Sequence, residues 1–235
     1  MADKATKPVP DETRRKPGRG RRSREATRQK LIDAALRVMA RKGVDGTAIA
    51  DITEEADVGF GSFYNHFKTK GELAEVVFHV HAEGISAITK TIARQEKDQA
   101  VAVSFIHKVF LTKAVADPVW GWFLIHTANW LPELWSVFAE QGTDDIRRGI
   151  AEGRFTVSSE ETAMRIILAS LVATMRLMLD GQAKAGLEAE TIECLLRMLG
   201  VPGDEARKLS RRKLPAYVAE LLRQKTSEPG AASAD

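Results

Sequence analysis

The spacing of apolar residues in the second half of the chain limits this region to helices. From residue 99 onward, apolar residues recur every three or four positions, and no run alternates apolar and polar residues as a half-buried strand does. Prolines stand between the apolar stretches and punctuate them. The pattern predicts helices at about 99–115, 118–130, 132–152, 159–181, 188–199 and 204–225.

The composition is that of a soluble globular protein. Of 235 residues, 44% are hydrophobic and 29% are charged. The single cysteine, Cys194, excludes an intramolecular disulfide and favours a reducing interior. The N-terminus has no apolar run of the signal-peptide type, and the most apolar segment, 164–179, is interrupted by two arginines and is shorter than the roughly 20 residues of a membrane span. We therefore expect a cytoplasmic protein with no membrane partner.

Positive charge is concentrated at the N-terminus. Residues 1–30 carry eleven Lys and Arg against four Asp and Glu, which is +7 in a chain whose total is +3. A basic arm on a mildly acidic body indicates a polyanionic partner, although a solvated tail without a partner stays open. Residues 1–22 are rich in Pro, Gly, Arg and Lys without periodicity, so they are predicted to be disordered.

Between this arm and residue 68 the pattern predicts three helices with unequal lengths. A long helix covers 24–42 and stops at Gly43. Thr47 is the predicted N-cap of a short second helix, and the four residues "DVGF" separate it from a third helical piece, "GSFYNHF". Two short helices joined by a tight Gly-containing turn and braced by a longer one form a helix-turn-helix, whose second helix enters the DNA major groove.

The stretch "GFGSFYNHFKTK" fits this use. Gly59 and Gly61 leave a helix N-terminus bare for close approach to phosphate. Phe63 and Phe67 are four residues apart and are predicted to turn inward to the core. The polar groups expected to reach bases or phosphates are Ser62, Tyr64, Asn65, His66 and Lys70, with Lys68 left open. The spacing of Thr69 and Glu72 predicts a capping box for the next helix.

Over about residues 27–78 these motifs resemble the DNA-binding domain of the TetR/AcrR family of bacterial transcriptional regulators. The resemblance rests on a first helix ending in "RKG", then "T-x-I-x-D-I-x-x-x-A-x-V", then "G-S-F-Y-N-H-F-K-x-K-x-E-L". It implies an all-α homodimer with an N-terminal three-helix DNA-binding domain, a connecting fourth helix and a C-terminal ligand-binding and dimerisation domain. The corresponding division is 1–22 for the arm, 23–68 for the DNA-binding domain, 69–225 for the second domain and 226–235 for a disordered tail.

The family's DNA contacts transfer to positions in this chain. The resemblance implies contacts from Thr47, Gly59, Phe60, Gly61, Ser62, Tyr64, Asn65, His66 and Lys70. The sequence departs from the family at Phe60, where a polar or basic residue is usual. Phe60 either contacts thymine methyl groups or packs against Tyr64, and the sequence leaves both open. The basic arm either follows phosphates or enters the minor groove.

Large rings are concentrated between residues 105 and 138. A cluster of this kind lines an apolar pocket or fills a core, and the family resemblance favours a pocket for an apolar or aromatic effector. The predicted ligand-binding residues are Phe105, His107, Phe110, Trp120, Phe123, His126, Trp130, Trp135, Met164 and Ile167.

The predicted helix 159–181 is apolar around most of its circumference. Ser158 and Glu161 fit a capping box at its start. One side is expected to face the core and the other a second copy of the chain. The predicted dimer interface consists of Leu168, Leu171, Val172, Met175, Leu195 and Leu199, and Cys194 is expected to be buried among them.

The sequence favours regulation over catalysis. It contains no P-loop, no Gly-x-Ser-x-Gly and no metal-ligand spacing, so we expect no enzyme activity, cofactor or metal. The prediction is a ligand-responsive dimeric regulator, most simply a repressor that binds a pseudo-palindromic double-stranded DNA operator and is released by a small-molecule effector. The alternatives are an activator or a ligand-independent regulator of the same fold, and an all-helical enzyme with an incidental helix-turn-helix.

Overall fold

The computed structural model describes residues 19–130 and 136–226, and this part of the chain contains helices and no strand. The all-α expectation is confirmed. The helices are α1 (Arg19–Lys42), α2 (Ile49–Glu55), α3 (Phe60–Tyr64), α4 (Lys70–Gln95), α5 (Gln99–Ala116), α6 (Pro118–Trp130), α7 (Ser136–Ala151), α8 (Glu160–Leu179), α9 (Leu187–Met198), α10 (Gly203–Ser210) and α11 (Ala216–Thr226).

Helix α1 begins earlier than the sequence predicts. Residues 19–22, which were expected to belong to a disordered arm, form its first turn, because a segment rich in Arg, Glu, Ala and Gln favours helix. The rest of the arm lies outside the described residues. The helix ends at Lys42 as predicted, and Gly43 follows with φ +72°, a left-handed conformation that suits glycine.

The start of α2 differs from the prediction. Thr47 is not its N-cap, because the Thr47 hydroxyl donates back to the Gly43 carbonyl oxygen at 2.6 Å. The cap position is Ala48, whose backbone N–H donates to the Asp51 carboxylate at 3.0 Å. The Asp51 carboxylate in the first turn of the helix therefore satisfies the backbone N–H of the cap residue itself, while the cap residue has no side chain that bonds the N–H groups further along the helix.

Helix α4 joins the first three helices to the rest of the molecule. Its 26 residues span roughly 40 Å. Thr69 is its N-cap as predicted, since its hydroxyl accepts from the Glu72 N–H at 3.0 Å. The Glu72 carboxylate accepts from the Lys68 N–H at 2.7 Å, one residue earlier than a capping box requires.

Two further sequence expectations change in the C-terminal part. The predicted single helix 204–225 is two helices, α10 and α11, separated at 211–215. Pro215 explains the break, because proline disfavours helical conformation in the residue before it and lacks the N–H that a continuing helix needs. The cap of α8 is Ser159, which accepts from the Thr162 N–H at 3.2 Å, so the predicted capping box of Ser158 and Glu161 is wrong.

One buried cluster runs from the first helices into the C-terminal domain. Leu31, Phe63 and Leu73 lie in the same cluster as Phe105 and Trp120. Helix α6 packs on α1, and α5 packs against α4 on one side and α8 on the other. A second cluster lies among α7, α8, α9 and α10, where Leu196 and Leu199 are completely buried and Ile146, Ile192 and Phe155 pack with them.

Helices α5 and α8 are long and apolar enough to cross a membrane by length and composition alone, but they differ in burial. In α5, 72% of the apolar window is buried, as in the core helix of a globular domain. In α8, only 28% is buried. Helix α8 thus has a face that this protomer does not cover.

The predicted dimer interface needs correction. Four of its leucine and methionine side chains, at Leu171, Met175, Leu195 and Leu199, are buried in the protomer itself, because the face of α8 that bears the first two packs on α5, α6 and α9. Leu168 and Val172 are half-buried at the edge of that face. The uncovered face of α8 is formed by Thr162, Arg165, Ile166, Ala169, Ala173, Arg176 and Leu177. Cys194 on α9 is exposed in the single protomer, so its expected burial in the dimer interface stays a prediction.

Candidate DNA interface and effector cavity

Helix α3 holds its aromatic side chains on two opposite sides. Phe63 and Phe67 are buried, with their ring centroids 5.9 Å apart. Phe60 and Tyr64 remain 54% and 55% exposed and meet edge to face at 5.8 Å. Because Phe60 packs on Tyr64 and still faces solvent, the two alternatives that the sequence left open are compatible. Inward rings anchor the helix, and outward rings stay available to a partner.

The polar residues that follow are supported by arginines of α1. The Arg24 guanidinium donates to the Asn65 carbonyl oxygen at 3.0 Å, so Arg24 fixes the end of α3. Burial, with Arg24 and Arg28 beside it, holds the pKa of His66 below its ordinary value. The His66 imidazole is therefore neutral at neutral pH and offers one donor and one acceptor.

Lys70 has a positioning role in addition to its charge. Its ammonium donates to the Asp45 and Thr47 carbonyl oxygens, each at 2.9 Å, and thereby ties the start of α4 to the turn before α2. One of its three N–H groups remains for phosphate. Thr47 is 2% exposed and its hydroxyl is already bonded, so its side chain is not available for the DNA contact that the resemblance implies.

Ion pairs between α1 and α2 hold the first helix of the motif in place. Glu55 receives hydrogen bonds from Arg37 at 2.7 Å and from Arg41 at 2.6 Å, and these lower its pKa. Lys42 pairs with Asp51 at 2.8 Å. These ion pairs neutralise acids of the same protomer and fix α2 against α1.

A cavity of about 60 Å³ lies among α4, α5, α7 and α8. It brings together four of the ten predicted ligand-binding residues, His107, Phe110, Met164 and Ile167. The other lining residues are Thr89, Val103, Ile106, Phe138, Gln141, Gly142, Asp145, Ile146, Leu168 and Leu171. A pocket in this domain therefore exists, and it is lined mainly by aliphatic side chains rather than by the tryptophans.

The remaining predicted residues lie elsewhere. Phe105, Trp120 and Phe123 are completely buried and fill the core. Trp120 stacks on Phe110 at 6.3 Å and lies under the Lys113 ammonium at 4.9 Å. His126 stacks on Trp122 beside the end of α1. The side chain of Trp130 and all of Trp135 lie outside what the structure describes.

The sequence interpretation missed the polar side of the cavity. Thr89 on α4 and Gln141 and Asp145 on α7 were not predicted. A signal was present, because Phe138, Gln141 and Asp145 share one helical face and two polar residues interrupt an apolar stripe there. Gln141 donates to the Thr89 hydroxyl at 3.2 Å, and that hydroxyl donates to the Ser86 carbonyl oxygen at 3.0 Å.

Burial controls the charge of the titratable groups around the cavity. His107 is 3% exposed, and loss of hydration lowers its pKa to about 4, so the ring is neutral at neutral pH. Its Nε2 atom is buried and has no hydrogen-bond partner among the described residues. Burial raises the pKa of Asp145, and the Arg148 guanidinium bonded to that carboxylate offsets part of the rise.

The fold and these two sites define a class of protein, a helical chain with an N-terminal helix-turn-helix and a C-terminal domain that contains a cavity. Two family models match it. "Bacterial regulatory proteins, tetR family" matches residues 31–77, and "Tetracyclin repressor-like, C-terminal domain" matches residues 98–212. The chain belongs to the TetR family of bacterial regulatory proteins.

The curated relatives match about a third of the chain. The HTH-type transcriptional repressor DhaR of a Mycobacterium species is 35% identical over 79 residues, which are 34% of this chain and 38% of DhaR. The HTH-type transcriptional regulator TtgR of Pseudomonas putida is 31% identical over 87 residues, 37% of this chain and 40% of TtgR. The matched stretch spans about two fifths of these relatives.

Solved structures match over most of the chain. RolR in complex with resorcinol superposes with a TM-score of 0.66 at 29% identity and covers 83% of this chain and 98% of RolR. FadR from Bacillus subtilis in complex with stearoyl-CoA gives a TM-score of 0.59 at 17% identity and covers 74% of this chain and 97% of FadR. The second likeness shows the fold alone.

Proposed function

We propose that this chain is a transcriptional repressor that binds a pseudo-palindromic operator as a homodimer and leaves it when a small-molecule effector fills the cavity. Residues 23–68 bind DNA and residues 69–225 bind the effector and the second protomer. The proposal places the protein in the cytoplasm with the DNA. The name of DhaR, a transcriptional repressor, supports the direction of regulation.

The observation that carries this proposal is that one helix reaches both sites. At its start, Lys70 of α4 is bonded to the turn before α2. Farther along, Phe78 of α4 packs on the cavity residue Phe138 at 5.8 Å, and Thr89 of α4 lines the cavity. A ligand that prefers a wider cavity therefore shifts the position of α4, and with it the separation of the two recognition helices in a dimer.

The proposed DNA contacts are those predicted residues that the protomer leaves accessible. They are Gly59, Phe60, Gly61, Ser62, Tyr64, Asn65, His66 and Lys70. Thr47 is omitted because its side chain is buried. Contacts to phosphate through Lys70 make binding weaken as salt rises.

The proposed dimer uses the uncovered face of α8. Ile166 and Leu177, at 46% and 38% exposure, flank Ala169 and Ala173 on one helical stripe. The small alanines allow close approach of a second helix, and the larger residues provide apolar area to bury. Exposed residues of α9, including Cys194, border this stripe in the proposal.

The cavity supports an effector that is small and mainly apolar. RolR, whose likeness covers most of this chain, has been solved with resorcinol, a single aromatic ring with two hydroxyls. A cavity with an unpartnered polar atom also favours a ligand-responsive regulator over a ligand-independent one.

Fluorescence anisotropy with DNA fragments that flank the gene tests the proposal. We expect Tyr64→Ala to weaken binding roughly tenfold or more, as loss of a base or phosphate contact in the groove does. The control is Tyr217→Phe, because Tyr217, the other tyrosine of the chain, is bonded to Glu96 on the C-terminal domain and is expected to leave affinity unchanged.

Two results would contradict the proposal. Equal binding of random DNA and flanking DNA would indicate a non-specific coat rather than an operator. Equal affinity of Tyr64→Ala and the wild type for the flanking DNA would show that α3 does not read it. Transcription from the same fragment in vitro, measured with and without the protein, separates repression from activation.

A further inference from the structure

His107 is the unsatisfied polar residue of the cavity. Its Nε2 is buried in the middle of α5, whose other cavity-lining residues are apolar, and no described residue bonds to it. A buried polar atom without a partner is unfavourable by the full cost of its lost hydration. The two other polar side chains on this wall, Gln141 and Thr89, already bond to each other. A ligand group that bonds Nε2 therefore gains an interaction that the described residues do not supply.

The charges around the cavity favour a neutral ligand. Burial keeps His107 neutral at neutral pH. Asp145, an acid that lines the cavity, is 4% exposed and is paired with Arg148 on the same helix. An anionic ligand would lose its hydration beside a neutral imidazole and a carboxylate, and the Arg148 guanidinium is already engaged by that carboxylate. An anion is therefore disfavoured.

A hydroxyl matches His107 better than other polar groups. In a neutral imidazole one nitrogen donates and the other accepts, and the structure does not select the tautomer. A hydroxyl donates and accepts, so it can bond Nε2 in either state. A ketone oxygen bonds only one tautomer, and a hydrocarbon bonds neither.

The size and walls of the cavity favour one ring. Phe110 and Phe138 meet edge to face at 5.2 Å, and aliphatic side chains complete the surface. Its volume of about 60 Å³ is below the roughly 150 Å³ that holds benzene in an engineered cavity. A single ring therefore enters only if the walls yield. Met164, a flexible side chain that packs directly on Gly142, is placed to do so.

We propose that the effector is a neutral, hydroxylated single-ring aromatic compound whose hydroxyl binds His107 Nε2. This deepens the proposed function, since it names the chemical class of the effector and the residue that selects it. Because the cavity must widen to accept the ring, binding moves cavity walls that include Thr89 of α4 and Phe138, whose ring packs on Phe78 of α4, and in this way it acts on α4.

Calorimetry on the full-length protein with three probes of similar size tests the class. The probes are phenol, toluene, which lacks the hydroxyl, and benzoate, which carries a charge. We expect phenol to bind roughly tenfold or more tightly than toluene, as the gain of one hydrogen bond to a buried unpaired group implies. Benzoate is expected to bind more weakly than either.

Two histidine variants assign the selectivity to one residue. His107→Leu is expected to abolish the preference for phenol over toluene while toluene still binds, which shows that the cavity is intact. His126→Leu is the matched control, because His126 stacks on Trp122 outside the cavity and its loss is expected to keep the preference.

The inference is overturned if phenol and toluene bind the wild type equally, if His107→Leu keeps the preference, or if no probe binds, which would mean that water alone satisfies His107. Phenol binding with the expected selectivity by a protein that binds no operator would support the effector class and contradict the proposed repressor. Operator binding without phenol binding would do the reverse, so the two failures are distinguishable.

Discussion

Two aromatic regions of this protein differ in how their rings are used. In α3 and the residues after it, rings alternate between the core and solvent, with Phe63 and Phe67 buried and Phe60 and Tyr64 exposed. In the region from α5 to α7, the described rings are mostly buried, and only Phe110 and Phe138 reach the cavity. The first region presents its aromatics to a partner, whereas the second uses most of them as structural support for a site lined by smaller residues.

The difference arises because contacts between residues close in sequence orient the rings of α3, whereas contacts between separate helices orient the rings of the C-terminal domain. In α3 a ring's direction follows from its position in the helix, because residues four apart share a face. In the C-terminal domain, four helices decide whether a ring meets the cavity or the core. Trp120 and Phe110 stack on each other, yet only Phe110 lines the cavity.

The largest expected effect comes from a buried ring of the first region. Phe63→Ala removes a side chain that is 0% exposed and packs on Phe67 and Tyr64, so we expect a loss of about 3–5 kcal/mol in the free energy of unfolding. Urea denaturation followed by circular dichroism measures it at a fixed protein concentration, since a dimer's stability depends on concentration. A loss below about 1 kcal/mol would show that α3 is not anchored through this ring.

The second largest effect is a pH-dependent loss of stability that arises from His107 in the cavity. The pKa of His107 is lowered to about 4, below the value of about 6.5 in an unfolded chain, so the unfolded state binds the proton more readily. The contribution of neutral His107 to the free energy of unfolding is therefore complete above pH 6.5 and is lost as the pH falls toward 4. We expect a loss of roughly 3 kcal/mol in unfolding free energy between pH 7.5 and 4 from this group.

A non-titrating variant isolates this contribution from the other groups that titrate in the same range. His107→Gln is expected to lose correspondingly less stability over that interval, as measured by urea denaturation at several pH values. Parallel pH profiles for the variant and the wild type would contradict the burial of His107 in the folded state.

The sequence predicted most of what depends on local contacts. The helix content, Gly43 as a stop, the N-cap at Thr69 and the inward direction of Phe63 all follow from residues within one or two turns of each other. The cavity lining did not, because Thr89, Gln141 and Asp145 come from helices that only the tertiary fold brings together. Part of the interface prediction changes for a related reason. The apolar pattern marks two faces of α8, and only packing shows that Leu171 and Met175 belong to the inner one.

A smaller loss of stability is expected at Thr69, and it tests whether a local hydrogen bond stabilises the start of α4. Thr69→Ala removes the hydroxyl that accepts from the Glu72 N–H at the start of α4, so we expect a loss of about 1 kcal/mol in unfolding free energy. Thr91→Ala is the control, since that half-buried threonine near the end of the same helix donates its hydroxyl to the Ala87 carbonyl oxygen and its loss is expected to be neutral or slightly stabilising. Equal losses for the two variants would indicate that the cap contributes nothing.

The smallest effect on stability is expected at Phe60, three residues from Phe63. Phe60 is 54% exposed, so Phe60→Ala is expected to change the unfolding free energy by no more than about 0.5 kcal/mol while it alters operator recognition. If its ring contacts a thymine methyl group, replacing that thymine with deoxyuridine weakens wild-type binding roughly fourfold, the value of one buried methyl group. Phe60→Ala is then insensitive to the same replacement. If no thymine replacement changes the binding of the wild type and of Phe60→Ala differently, the Phe60 ring supports Tyr64 rather than contacting a base. The exposed rings of α3 would then differ from the buried ones only in what they pack against.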